Sequence, residues 1–572
     1  MKHFIAWVML ITTTLFPEME NSAIKSTWEA HALSSSLYEN IEYGNLESAR
    51  QLIRNGADPV RLSTPISNVA SWHPLYMENN LLVVAKQHNY TNMIPMLLEE
   101  GADPNSTAAN GEFALAHMLS LSEFELFNQY GFNYLQEDET GNTMLVYTVD
   151  FNYAIETMWL LDHGCSVDKN AIFEAFDEIV TNEKEVDYNI ESRDDLICAI
   201  GILAKLLNNV KIRNNVQQPL YDLAIEYLQK YQQEGHTISN SIMCKFQAAF
   251  GSVQGLHLSD NALTELAMAA CAAGNIDNLK YLCQKTSPHS DLLGISAYFH
   301  QEECVDYLLS ISVKPEYIGS VDNHAPYIAD AFSAFSICGN TSYMKKMIDA
   351  GYPLTSVSLG QAAVFAVENG NADALRFLIQ NGYNPNDCFD EFESNVLTIA
   401  CRNGNYEIVN LLLGAGLSLN SYLPSDAILS LIRESGRIND TEIIKLLLKY
   451  GASAIEPKDA SPIYTAVYCD RPEIVEIFFA YGDFPISDDL LVESAAKSNR
   501  MMMLLLEKNA NINACNESGE SMLISAIQYN KVENVRYLLA HGVDISIRDE
   551  HGYNAAYYAE ISRNPQIQAL FS

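Results

Sequence analysis

Leu97-Leu98-Glu99-Glu100-Gly101-Ala102-Asp103-Pro104-Asn105 is the stretch that decides the fold, because the chain keeps returning to it. An apolar pair and two variable residues lead to a glycine and a short turn-like tail. The same phrase stands at Leu52-Ile53-Arg54-Asn55-Gly56-Ala57-Asp58-Pro59, and further copies end at Gly164, Gly351, Gly382, Gly416, Gly451, Gly482 and Gly542. Asn509 fills the glycine position in one more copy. Glycine and asparagine are the residues that tolerate a left-handed backbone, so each phrase reads as the end of a helix stopped at its C-cap.

Two further landmarks keep register with the caps. About twelve residues earlier stands Gly44, Gly339, Gly370 or Gly404 in some copies and Asn89, Asn152, Asn439 or Asn530 in others, which suits a tight turn between two helices. Four residues before that turn an alanine recurs at 85, 270, 366, 400, 466 and 526, where a small side chain lets neighbouring helices lie close. The unit is therefore a short helix, a tight turn, a longer helix, a cap and a hairpin-like loop. Its period is about 33 residues, as the steps from Gly382 to Gly416 and from Asn509 to Gly542 show. The expected fold class is an all-α helix-turn-helix repeat solenoid, in which each unit buries its apolar face only against its neighbours.

This unit resembles the ankyrin repeat. Ser461-Pro462-Ile463-Tyr464 stands where that family has Thr-Pro-Leu-His, and Glu407-Ile408-Val409-Asn410-Leu411-Leu412-Leu413 matches its second helix. Asn564-Pro565-Gln566-Ile567 followed by Ala569-Leu570-Phe571 resembles a terminal ankyrin cap. The family histidine is replaced by Thr398, Tyr464 or Ile524, which implies looser hairpins and uneven stability along the array. The resemblance is firm over residues 34–164 and 330–572 and weaker over 260–330.

Four segments follow: a leader over 1–33, ankyrin-like repeats over 34–168, a stretch over 169–258 without the phrase, and ankyrin-like repeats with a cap over 259–572. In the leader, Lys2 precedes an apolar run from Phe4 to Phe16, long enough for a signal-peptide core and too short to span a bilayer. Asn21-Ser22-Ala23 is a poor cleavage site. The expected location is the cytoplasm of the producing cell or of a host cell, with export through this segment as the alternative. Residues 169–258 are helical in pattern, as in Leu196 to Leu207 and Leu220 to Tyr231, with Pro219 at a helix start and an acidic run from Asp177 to Asp195. Degenerate helix pairs continuing the stack are expected there, and a helical insert is the alternative.

Charge narrows the partners. Asp and Glu number 72 against 34 Lys and Arg, a formal charge of −38 that repels phosphate backbones and anionic lipid. Neither nucleic-acid binding nor membrane insertion is expected, whereas a protein with a basic patch suits the surface. The eleven cysteines lack a CxxC pair. Cys271 and Cys401 share the position after the packing alanine, Cys283 replaces a leucine of a second helix, and Cys388 and Cys515 share a loop position, so they read as spacers and loop variation. His300 and Cys304, four apart, are two ligands at most, and packing explains them better than a metal. The Asn89-Tyr90-Thr91 and Asn340-Thr341-Ser342 sequons fall in or beside inter-helix turns, which disfavours glycosylation. No P-loop, HExxH, GxSxG or dinucleotide motif is present, and no catalytic residue, cofactor or metal site is expected.

The resemblance implies a non-enzymatic, monomeric scaffold that binds a protein through its concave face. In that family the two residues before the inter-helix turn point to this face. Here they include Gln87 and His88, Tyr298 and Phe299, Glu368 and Asn369, Arg402 and Asn403, Tyr468 and Cys469, and Gln528 and Tyr529. Tyr298, Phe299, Arg402, Asn403, Tyr468, Gln528 and Tyr529 are the candidate binding residues, since exposed aromatics are favoured at interfaces. Divergent, unevenly spaced repeats are also similar to those of bacterial host-directed effectors or of protist and viral ankyrin families. Two alternatives stay open: a catalytic unit in 169–258 around His236, Cys198 and Cys244, and an F-box-like recruiter of a ubiquitin ligase at 423–432, where Leu423-Pro424-Ser425-Asp426 also reads as the start of a repeat helix.

Overall fold

The computed structural model describes residues 37, 41, 49–50, 52–53, 57 and 80–572, apart from 88–92, 109, 117–120, 186–189, 214–218, 237, 256–259, 318–329, 388–395, 420–426, 430, 433–439, 455–460, 483, 485, 509–510, 563 and 572. The 1–33 leader, His88, Asn89, Cys388 and Asn509 lie outside them. Two units are distinguished: residues 1–116 with 127–133 and 138–140, and residues 117–126, 134–137 and 141–572. Among the described residues the secondary structure is helical, and extended pairing is confined to isolated bridges such as Thr107 with Phe113 and Cys515 with Ser521. The fold is an all-α ankyrin-type solenoid.

In the first unit, helices Leu81–Gln87 and Met93–Glu99 form one hairpin whose inner residues are buried. Asn80 Nδ2 donates to Ser106 Oγ (2.9 Å) and to the Thr107 carbonyl (3.0 Å), tying the hairpin to its loop. The Asn133 N–H donates to Asn105 Oδ1 (2.7 Å), which links successive loops.

In the second unit, first helices pack side by side in one row: Ser290–Tyr298, Ala331–Ile337, Ser356–Glu368 and Val396–Arg402, then Pro462–Tyr468, Asp488–Ala495, Met522–Gln528 and Ala555–Ile561. Second helices form a parallel row behind them, from Thr341–Asp349 through Tyr406–Gly414 to Val532–Ala540. The landmark residues work as their chemistry requires. Gly404 holds φ +65° in a turn whose Asn405 N–H donates to the carbonyl of Ala400 (3.0 Å), and Ala400 itself is fully buried. Gly382 holds φ +100° past its helix, and the following Tyr383 N–H reaches back to the Leu378 carbonyl (3.0 Å). Gly482 departs from the expected cap: its φ is −176°, and the chain leaves that helix in extended form. Three turns with positive φ fall on residues outside the glycine and asparagine pattern, at His300, Ser312 and Asp470.

Residues 169–258 hold two pairs of helices. Lys169–Glu185 packs on Met144–Asp150 and Ile190–Arg213 on Ala154–Asp162, so this hairpin continues the stack with helices of 17 and 24 residues. A second pair, Leu220–Gln233 and Asn240–Phe250, then packs against that hairpin. Asp260–Ala273, where the regular register resumes, lies against both Ile190–Arg213 and Asn240–Phe250. The hand-over has a local cause. Asn278 Nδ2 donates to the carbonyls of Gln247 (3.0 Å), Ala248 (2.9 Å) and Gly251 (3.1 Å) at the end of Asn240–Phe250. Asn534, at the same helix position, bonds the carbonyls of Ala495 (2.9 Å) and Lys497 (3.1 Å) after a regular first helix. Asn240–Phe250 thus takes the place of a first helix.

Candidate functional site

The predicted row separates into an exposed and a buried part. Arg402 ends its helix exposed, and Asn403 Nδ2 donates to the Glu368 carbonyl across the row (3.3 Å). Tyr468 and Tyr529 are 62% and 61% exposed, and Gln528 is exposed beside Tyr529. Tyr298 and Phe299 are instead buried, at 4% and 2% exposure. The long helix Ile190–Arg213 covers Phe299: a β-carbon placed on Gly201 would lie 2.3 Å from the Phe299 ring. The gap left by glycine is filled by the phenyl ring, so this pair is core rather than binding surface. Gly201 within the apolar run from Leu196 to Leu207 was the signal for such a close approach.

Toward the C-terminal side of the row, phenols and carboxylates gather on and just before four neighbouring first helices. Tyr464 and Tyr468 lie one turn apart on Pro462–Tyr468, and both are exposed. The next helix contributes Asp489 and Glu493, again one turn apart, and Lys497 follows it. Lys497 Nζ sits 4.5 Å from the Tyr468 ring centre and 2.8 Å from Glu493. Burial, then Glu493 and Asp489, push the Tyr464 phenol up. Glu520, just before Met522–Gln528, is raised by burial and by the fields of Glu493 and Asp549, against the hydrogen bond from Asn516. Its Oε2 accepts from Asn516 (3.0 Å), while Oε1 is buried without a hydrogen-bond partner. Tyr558 donates its hydroxyl to Asp549, and that bond, with burial, pushes the phenol up to about 12. Tyr557, 38% exposed, stacks on Tyr553 at 4.1 Å. The sequence reading missed Tyr464, Glu493, Glu520 and Tyr557, because only residues just before the turn were assigned to this face. Only Tyr464 stands one helical turn from a chosen position, Tyr468, and that spacing was the available signal.

The remaining chemistry is structural or clustered in the middle segment. Cys271 and Cys401 are fully buried and burial raises both thiols; Cys304 is pushed up to about 12 in the same way. Such thiols stay protonated and inert. His300 and Cys304 do not share a helix: His300 is the turn residue (φ +51°), exposed, and Cys304 is buried in Glu302–Ser310. Among the described residues no group of three or more His, Cys, Asp or Glu is placed to hold a metal, and no helix is long and apolar enough to cross a membrane. Asn340 lies in its turn as expected, capping Thr341–Asp349. Of the F-box-like stretch, Leu423–Asp426 lie outside the described residues, and Ala427, Ile428, Leu429, Leu431 and Ile432 are helical and buried. In the middle segment His236 stacks on Tyr231 at 4.1 Å and approaches Asp177 at 3.6 Å, and Tyr231 donates its hydroxyl to Asp177. Nearby, Glu178 is pushed up to about 7, mainly by burial and further by Asp150 and Asp195 against the Asn182 hydrogen bond, and burial and Asp150 raise Glu174 likewise. Neither cysteine of the segment is poised for attack: Cys198 is buried with its Sγ–H directed at the Asn152 carbonyl (3.6 Å), and Cys244 is exposed.

The family model described as ankyrin repeats (many copies) matches residues 363–413, and that described as ankyrin repeats (3 copies) matches residues 491–571. The chain is similar to FPV115, an ankyrin repeat protein of fowlpox virus (strain NVSL), at 32% identity over 34% of this chain and 41% of that protein. It is also similar to a second ankyrin repeat protein of that virus, FPV014, at 36% identity over 16% of this chain and 20% of that one. The chain thus spans less than half the length of these relatives. Among solved structures, the human ASB11 ankyrin repeat domain aligns over 37% of this chain and 98% of that one, at 21% identity and a TM-score of 0.31.

Proposed function

Since the chain belongs to the ankyrin repeat family, we propose that it is a non-enzymatic scaffold that grips a protein partner with the exposed row of its first helices. Ankyrin repeats are in general protein–protein interaction modules. The observation that carries the reading for this chain is the pair Tyr468 and Tyr529, each more than half exposed on the row of first helices. Large aromatics held in water gain most when a partner desolvates them. The net charge of −38 favours a partner with a basic patch and speeds its encounter. The scaffold works as a monomer in the cytoplasm of its own cell or of a host. The divergent repeats favour a host-directed effector, and failure to find the protein outside its producing cell during infection would count against delivery. The test of the core reading is retention of a partner by the purified full chain. Wild-type protein should retain a partner that Tyr468→Ala with Tyr529→Ala loses, and equal retention by both would refute a role for the row.

A second reading places chemistry in 169–258, favoured by the imidazole of His236 held against Asp177 and Tyr231. An imidazole beside a carboxylate is a general-base arrangement. Retention of every measurable activity by His236→Ala would end it.

A further inference from the structure

We propose that the seam between residues 144–162 and the long hairpin of residues 169–213 is a pH-sensitive joint in the stack, closed in mildly acidic solution and loosened as the solution turns neutral to alkaline. The apolar part of the seam is the packing of Lys169–Glu185 on Met144–Asp150 and of Ile190–Arg213 on Ala154–Asp162. Its polar part gathers at the turn after Met144–Asp150. There Asn152 Nδ2 donates to the Asp195 carbonyl (2.9 Å), and the Cys198 thiol is directed at the Asn152 carbonyl (3.6 Å). Five carboxyl groups meet beside that turn: Asp150 from Met144–Asp150, Glu174, Asp177 and Glu178 from Lys169–Glu185, and Asp195 from Ile190–Arg213.

Protonation decides whether such a group can close up. Glu174 shares a hydrogen bond with Asp150, and two carboxyls can do so only while one of them holds a proton. Burial, then the charge of Asp150, raises Glu174. Burial, helped by Asp150 and Asp195 against the Asn182 hydrogen bond, pushes Glu178 up to about 7. From the second helix pair, Tyr231 donates its hydroxyl to Asp177 and His236 lies 3.6 Å from it, so a protonated imidazole adds an ion pair. The described lysines of the helices packed here are engaged elsewhere: Lys169 with Glu234, Lys230 with Glu226, and Lys245 with Glu183 and Glu265. On Ile190–Arg213, Lys205 lies in the field of Asp162. Each titrating group thus favours the closed joint in its protonated form. The closed state binds more protons than the open one, in which the carboxyls return to their ordinary range, so closure weakens as pH rises through about 7. Carboxylates in the ordinary range are already ionised at pH 6, so the general repulsion of a chain with 72 acidic residues hardly changes above it.

Cys198 reports on the joint, because its buried thiol lies on Ile190–Arg213 against the Asn152 turn. The full chain is alkylated with iodoacetamide, and the modified cysteines are located by peptide mass spectrometry. Each rate is divided by that of the same cysteine in the urea-unfolded chain at the same pH, which removes the titration of the thiol itself. The relative rate at Cys198 should rise about tenfold or more between pH 6 and pH 8, since one carboxyl titrating near 7 shifts the equilibrium by about that factor. Cys401, fully buried in Val396–Arg402, should stay protected at both values. Glu174→Gln with Glu178→Gln keeps hydrogen-bonding groups without the charge and should leave Cys198 as protected at pH 8 as at pH 6. Asp150→Asn, at an exposed position, should by itself cut the rise several-fold. A rise that Cys401 matches is general loosening, and a rise that survives both variants has another cause. Either result, or a Cys198 rate that does not change with pH, would overturn the joint.

Discussion

Residues 169–258 and the repeats from 462 to 561 solve the same stacking problem with different means. The regular repeats use helices of seven to ten residues, with the fully buried Ala466 and Ala526 letting neighbours close up. The middle segment uses helices of 17 and 24 residues and holds them with buried polar groups. Lys245, 6% exposed in its side chain, bonds Glu183 at 3.0 Å and Glu265 at 3.2 Å, so one ammonium ties Asn240–Phe250 to the helices on either side. Glu174 and Glu178 sit in a carboxylate cluster with Asp150, Asp177 and Asp195. Apolar stacking on a small-residue pattern tolerates sequence drift, whereas a charged network fails when one member is lost. The middle segment should therefore be the more fragile region, and the one whose stability responds to pH.

The largest expected effect tests that fragility. Lys245→Ala leaves Glu183 and the partly exposed Glu265 without their shared cation and should cost up to about 3 kcal/mol locally. Hydrogen exchange over 240–273 should collapse while residues 462–561 keep their protection, and equal loss in both regions would break the comparison. Next come the two equivalent asparagines. Asn278→Ala removes the partner of the Ala248 carbonyl and of the Val253 N–H, and Asn534→Ala that of the Ala495 and Lys497 carbonyls, so each should cost about 1–3 kcal/mol in denaturant titrations. A smaller shift is expected from acidity. Glu178, with a folded-state pKa of about 7, and Glu174, raised likewise, hold protons that the unfolded chain releases above the ordinary carboxylate range. The native segment then binds more protons than the unfolded one between about pH 4.5 and 7, so its stability falls as pH rises through that window. Exchange protection over 169–185 should be greater at pH 5.5 than at pH 7.5. The double substitution Glu174→Gln with Glu178→Gln should remove that difference, and its survival would place the cause elsewhere. Smallest of all is Tyr468→Ala, a surface change expected to move stability by less than about 0.5 kcal/mol while weakening partner binding.

The regular repeats were legible because their constraints are local. A helix cap that needs φ near +100° selects glycine at 382, a turn near +65° selects glycine at 404, and a close helix contact selects alanine at 400. These are backbone and contact requirements written at single positions, so the sequence by itself determined the repeat, its register and its helical class. Where another residue met the same requirement, as His300 and Asp470 do with φ of +51° and +53°, the pattern was hidden.

The middle segment and the exposed row of first helices were decided by the tertiary structure. Tyr298 and Phe299 hold the same repeat position as Gln528 and Tyr529, yet both are buried, with Ile190–Arg213 over Phe299, while Tyr529 is 61% exposed. No local signal distinguishes the two pairs, because burial there depends on a helix about a hundred residues away in the chain. The grouping of Tyr464, Glu493, Glu520 and Tyr558 likewise arises only once four first helices are laid side by side. Caps, turns and packing alanines are properties of one unit and its nearest neighbour; a surface spanning several units is a property of the stack.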